Sequence, residues 1–321
     1  MIEHDEVRIR AGDATLAGTL TLPPAEGRRP WVLLVGSWLP RNRDGDWDRE
    51  GHPSWFAPGP AAEPPSLLAR LADALAGRGV ASLRVDPRGC GASGGEWATA
   101  ALFTRIDDAR DAIGAMRSRP ELDLRRTAIV GHGEGAGIAL SVAIGDPAIG
   151  AVGLIGASAR SLRTVLRAGV GVRGRSGVEG DHAIVAALDR SSEELVERAE
   201  RGEASLRLDL GDGEATLGLA AWEQGFHTPP LALATMLHRS TVLLHGTADA
   251  WAAPDESRLL EATLRAAGNE PLLHLAAGAG HDLAEAGDDV IGGFVDDLVS
   301  RMEPRDLPPV LVAIEEMGGG R

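Results

Sequence analysis

The sequence predicts an α/β protein built on a mostly parallel sheet with helices on both faces. Short, continuous apolar runs such as Trp31-Val32-Leu33-Leu34-Val35 recur along the chain, each bounded by Gly or Pro, as strands buried on both faces require. Between them lie segments whose leucines fall at helical spacing. The alternation lapses once, over residues 161–238, and then resumes.

Residues 6–10 and 15–22 alternate in polarity around Gly12-Asp13 and read as a hairpin. The run at 31–35 follows as a strand, and residues 37–65 form a long irregular loop. Leu67, Leu68, Leu71 and Leu75 mark an amphipathic helix ending near Gly77 to Gly79. A strand is expected at 80–85, a helix at 103–116, a strand at 127–130, a helix at 135–144 and a strand at 151–155. Residues 161–238 are rich in Arg, Glu and Gly, hold no strand that fits the pattern, and read as an inserted cap. Regular alternation then gives a strand at 241–245, a helix at 254–267, a strand at 272–275 and a helix at 290–302. The last residues, with Gly318-Gly319-Gly320, read as a loosely held tail. The expected organisation is a core in two parts, 1–160 and 239–304, a cap at 161–238 and a tail at 305–321. Ligands are expected at the carboxyl ends of the strands.

Composition narrows the function. The 321 residues are 44% hydrophobic and 25% charged, ordinary values for a folded chain. With 32 basic and 47 acidic side chains the formal charge is −15, a field that repels a phosphate backbone and argues against nucleic acid as a partner. No apolar run approaches the roughly 20 residues that span a bilayer, and the charged N-terminus does not read as a signal. A cytoplasmic protein with no membrane partner is the expectation. Cys90 is the only cysteine, which excludes an internal disulfide and a cysteine-based zinc site. The chain has no lysine and no tyrosine, so Schiff-base and phosphate-loop lysine chemistry are excluded too.

Three segments carry candidate chemistry. Gly131-His132-Gly133-Glu134-Gly135 runs from a strand into a helix through small residues, as a nucleophile elbow does, but its pattern is Gly-x-Ser-x-Gly and here Gly133 stands at the centre. His245-Gly246-Thr247-Ala248-Asp249 puts a carboxylate after a strand. Gly278-Ala279-Gly280-His281-Asp282 puts an imidazole after the last one. In this order, and with Asp86-Pro87-Arg88-Gly89-Cys90-Gly91-Ala92-Ser93 and Val35-Gly36-Ser37 upstream, the chain resembles the α/β-hydrolase superfamily, in particular its dienelactone-hydrolase-like and peptidase-like members. The resemblance implies the α/β-hydrolase fold, Asp249 as the triad acid, His281 as the triad base, and an oxyanion hole of backbone amides from Glu134 and from Ser37 or Trp38.

The nucleophile is missing, because glycine has no oxygen to acylate. Cys90, in a turn after the fourth strand, is a poor substitute. An imidazole oriented by Asp249 can still act as a general base, and the empty elbow leaves room for a substrate C–H to reach His281. In this respect the chain resembles a small group of α/β-hydrolase-fold proteins of actinobacterial polyketide pathways, which expel acetate from an acetylated tetronate to make an exocyclic alkene. The implied function is a carbon–oxygen lyase acting on a small-molecule substrate, a hydrophobic O-acetylated polyketide. The alternatives are a serine-independent ester or thioester hydrolase using a His281-activated water, and a non-catalytic pseudo-hydrolase. Trp38, Trp47, Trp55, Trp97 and Trp251, with His132 beside the elbow, are expected to wall an apolar pocket. The spacing of His52, Asp46 and Asp48 matches no metal motif, and neither a metal nor a cofactor is called for.

Overall fold

The computed structural model describes residues 1–24, 26–53, 66–167, 187–211 and 213–318. The chain opens with β1 (Glu3–Ala11), β2 (Ala14–Leu22) and β3 (Arg29–Val35), followed by α1 (Leu67–Ala76), β4 (Ala81–Val85), α2 (Leu102–Met116), β5 (Leu122–His132), α3 (Glu134–Gly145) and β6 (Ile149–Ile155). Next come α4 (Leu162–Arg167), α5 (Ser192–Glu200), β7 (Ser205–Asp209), β8 (Glu214–Gly218), α6 (Ala220–His227) and α7 (Pro230–Ala234). The chain continues through β9 (Ser240–Gly246), α8 (Pro254–Ala266), β10 (Leu272–Ala276), α9 (Asp288–Ser300) and α10 (Pro309–Gly318).

Eight strands form one sheet in the order β1-β2-β4-β3-β5-β6-β9-β10. The β1/β2 and β2/β4 pairs are antiparallel and the others parallel. Successive residues of the apolar runs point to opposite faces, which is why the runs are continuous rather than alternating. Leu33, Ile129 and Leu243 pack with α2, α3 and α8. Val32, Leu34, Val130, Val242 and Leu244 pack with α1 and α9 on the other face. The mostly parallel sheet flanked by helices is the architecture expected from the sequence. Because β4 lies on one side of β3 and β5 on the other, the strand order reverses at β3, and a crevice opens beyond the carboxyl ends of β3 and β5.

Two expectations need correction. Residues 161–238 do contain strands: β7 and β8 form a separate antiparallel hairpin whose Leu206, Leu208, Ala215 and Leu217 are buried in a third cluster with α4, α5 and α6. Their period-two pattern serves that small cluster and not the main sheet, so it breaks the larger alternation. Nor is the C-terminal segment loose over its whole length. Leu307 and Leu311, four residues apart, bury themselves against Leu124 and Ala148, and the Arg305 amide donates to the Arg125 carbonyl at 3.0 Å, anchoring the approach to α10. Among the described residues no helix is long and apolar enough to cross a membrane.

Candidate active site

Glycines shape the turn from β5 into α3. A Cβ on Gly131 would collide with the Gly135 carbonyl, and one on Gly135 would lie 2.5 Å from the Val35 carbonyl oxygen and 2.6 Å from that of Gly36. Only glycines let the end of β3 press so closely on the start of α3. Gly133 sits between them at φ 59°, ψ −119°, a conformation costly for a residue with a side chain. It precedes Glu134, the first residue of α3, whose amide is among those at a helix start with no intrahelical acceptor.

Asp249 lies in the turn after β9. Its Oδ1 accepts the amides of Trp251 and Ala252 at 2.8 and 2.9 Å, which fixes the carboxylate, and its Oδ2 lies 2.8 Å from His281 Nδ1. A second imidazole, His245, brings Nε2 within 3.2 Å of the same Oδ2 while its Nδ1 meets Ser257 Oγ at 2.6 Å. Burial pushes the Asp249 carboxyl up, but the charges and hydrogen bonds of His281 and His245 hold it well below the usual carboxylate range.

His281 stands in the loop after β10. Arg70 of α1 grips that loop through the carbonyls of Leu283 and Ala286, at 3.0 and 2.5 Å. Gly156, at the end of β6, makes room for the ring: a Cβ there would stand 3.1 Å from both Cε1 and Nδ1 of His281. With Nδ1–H donated to Asp249, the neutral ring turns a lone pair at Nε2 toward Gly133. A Cβ on Gly133 would lie 3.0 Å from that nitrogen. Burial disfavours the imidazolium, yet the Asp249 and Asp282 carboxylates, Asp249 foremost, together outweigh burial and raise His281 above the ordinary histidine value.

Beneath this pair lies a buried polar layer. His132 Nε2 is 3.0 Å from the His281 carbonyl, a contact that only an N–H can make, and burial together with the His281 charge holds its pKa down to about 3. Arg41 reaches Asp282 at 2.9 Å, donates to the Gly45 carbonyl at 2.6 Å, and lays its guanidinium over the Trp47 ring at 3.9 Å. The loop after β3 is thereby tied to the loop that carries His281.

A cavity of about 110 Å³ opens over Gly133 and His281. Ser37, Trp38, Glu134 and Trp251 line it, with Leu102 from α2 and Leu162 and Leu166 from α4. Trp222 of α6 also lines it, meeting Trp38 edge to face at a centroid distance of 4.5 Å. Sequence reasoning missed Trp222 because it belongs to the segment whose folding could not be anticipated. The expectation for three other residues needs correction. Trp97 stands behind the wall, donating from Nε1 to the Trp38 carbonyl at 3.0 Å. Trp47 packs under Arg41, and His132 is buried beneath His281, only 1% exposed. Trp55 lies outside the described residues. Cys90 is fully buried, and burial, with the Asp48 charge, pushes its thiol up to about 12, far from a thiolate at neutral pH.

A family model described as serine aminopeptidase, S33 matches residues 61–165, a span that holds the elbow but neither Asp249 nor His281. No curated protein matches the sequence. Among solved structures, Est1E from Butyrivibrio proteoclasticus with ferulic acid bound aligns at a TM-score of 0.65 and 15% identity, over 92% of this chain and 99% of that one. The esterase domain of a Rhodothermus marinus protein aligns at 0.58 and 17%, over 94% and 97%. The α/β hydrolase GrgF from Penicillium sp. sh18 aligns at 0.62 and 16%, over 94% and 99%. At such identities the likeness is one of fold.

Proposed function

We propose that this α/β-hydrolase fold, with glycine on its elbow, serves a carbon–oxygen lyase that expels acetate from an O-acetylated tetronate polyketide and leaves an exocyclic alkene. One observation carries the reading: His281 Nε2, backed by Asp249 at 2.8 Å, faces a glycine where the nucleophile would stand, only 3.0 Å from where its Cβ would begin. The base is intact and the acylation step has no hydroxyl on the elbow. In this mechanism Nε2 removes the acidic ring proton beside the ester-bearing carbon, the electron pair of that C–H bond becomes the new double bond, and acetate leaves with the electrons of its C–O bond. The amides of Glu134 and of Ser37 or Trp38 stabilise the enolate oxygen. Segment 161–238 acts as the cap, its α4 and α6 supplying Leu162, Leu166 and Trp222 to a mostly apolar cavity suited to the reacting end of a hydrophobic substrate.

A second reading is favoured by the esterase among the structural neighbours: His281 activates a water that attacks the ester carbonyl. The two reactions break different bonds. Run in heavy-oxygen water on an acetoxymethyl tetronate, elimination releases acetate without solvent oxygen together with an alkene. Solvent oxygen in the acetate, with an alcohol as co-product, would replace the lyase by the hydrolase.

Either mechanism needs neutral His281, so its raised pKa fixes the pH dependence. Turnover should fall as pH drops through a value above the ordinary histidine pKa of about 6.5. Asp249→Asn removes the foremost of the charges that raise it, so the acidic limb of the kcat/KM profile should move to lower pH while the plateau drops. A limb unmoved in this variant would assign the titration to another group.

A further inference from the structure

The space left by the missing elbow side chain is not simply open. In the β3/β5 ladder Val35 stands opposite Gly131, so two residues further along each chain Ser37 comes level with Gly133. The close approach allowed by Gly135 presses the two together: a Cβ on Gly133 would fall well inside contact distance of Ser37 Oγ, and 3.1 Å from Ser37 Cβ. The hydroxyl therefore occupies the volume where a nucleophile side chain would begin, and His281 Nε2 borders the same volume. Ser37 is buried, lines the cavity, and its Oγ has no hydrogen-bond partner among the described residues. A hydroxyl that opens onto a cavity without a protein partner is free to donate its O–H to a ligand there.

From this we infer that Ser37 supplies the hydrogen bond that receives the departing carboxylate. The inference rests on the elimination reading and adds a catalytic residue to it. A substrate seated over the elbow meets the base and the hydroxyl together. As Nε2 takes the C–H proton and the electron pair forms the alkene, negative charge gathers on the ester oxygen whose bond to carbon is breaking. Ser37 donates its O–H to that oxygen and keeps its own proton. The proton on His281 then passes to the released acetate or to solvent, which returns the base to its neutral form. Ser37 forms no covalent bond to substrate, so atoms and charge balance without water in the bond-breaking step.

A donor to a leaving group matters most when the leaving group is a strong base. The experiment compares wild type and Ser37→Ala on an acetoxymethyl tetronate and on its dichloroacetoxymethyl analogue, measuring kcat and KM and tracing solvent oxygen in the released acid. Loss of one preorganised donor to a developing anion lowers kcat by about 10²-fold or more. We expect a defect of this order in kcat on the acetate ester, little change in KM, and a defect reduced to a few-fold on the dichloroacetate ester. A defect of equal size on both esters, or none on the acetate, would overturn the role of Ser37 while unlabelled acid still supported elimination. Solvent oxygen in the acid released by wild type would overturn the elimination itself. A covalent adduct of a fluorophosphonate on Ser37 would make the hydroxyl a nucleophile and overturn the donor role.

Discussion

His281→Ala should lower turnover of an acetoxymethyl tetronate by about 10²- to 10⁴-fold, the contribution usual for a positioned general base. The geometry makes this the most damaging substitution at the site. Nε2 of His281 faces the elbow, while His132 donates its Nε2–H to a backbone carbonyl and His245 is held between Asp249 and Ser257, both buried out of reach of a ligand. The residual rate should be insensitive to pH between about 5 and 8, the interval in which an ordinary histidine titrates. His281→Ala activity within tenfold of wild type, measured on the alkaline plateau of the wild-type pH profile, would remove the imidazole from the mechanism. Because the ring fills the space left by Gly156, the thermal midpoint of the variant needs measuring in parallel, so that lost activity is not read from unfolded protein.

The largest effect on stability should come from Arg41→Ala. Arg41 is 2% exposed, and its partner Asp282 is held below the usual carboxylate range: burial pushes the carboxyl up, but Arg41, His132 and His281 together outweigh it. Removing one partner of a buried pair leaves the other charge uncompensated, at a cost of about 3–5 kcal/mol. The truncation also empties the space over Trp47 and strips the Gly45 carbonyl of its donor. Urea denaturation should show a lower midpoint at neutral pH. The deficit should narrow on acidification, because a carboxyl whose native pKa is depressed contributes stability above its unfolded value, near 4, and loses it as pH falls. Asp282→Asn in the Arg41→Ala background should recover part of the loss. A double variant no more stable than Arg41→Ala would mean that packing against Trp47, and not charge, dominates.

Much of the frame was legible because its signals are local. Continuous apolar runs place the strands of the sheet. The glycines at 131 and 135 mark the elbow because backbone crowding there tolerates nothing larger. Asp249 and His281 follow strands in a spacing that folding brings together. What escaped was set by distance in the chain. Trp222 reaches the cavity through a segment whose apolar residues form a cluster with Leu39, Cys90 and Trp97, and Trp97 supports Trp38 through a backbone carbonyl that no pattern announces. Ser37 could be placed near the oxyanion loop from sequence, but that its hydroxyl fills the vacated elbow depends on the register between β3 and β5. The helix at Pro309–Gly318 was masked by the glycine run that follows, although Leu307 and Leu311 already had helical spacing.

The imidazole and its carboxylate hang from the last two strands of the sheet, and β10, which precedes His281, is an edge strand paired only with β9. Its side is thinly covered: Leu272 and Leu275 are exposed, and His274 holds Asp297 of α9 across 2.8 Å. Were this margin to open, the base would part from Asp249 while β1 to β6 stayed paired. Readiness for chemistry and persistence of the fold are thus different free energies in this molecule, the first set by a peripheral unit that can fray and the second by the whole sheet. A population that looks native to a global probe can therefore contain molecules whose dyad is transiently parted, and substrate bound across the cavity, touching both Ser37 and His281, would draw that population back toward the closed margin.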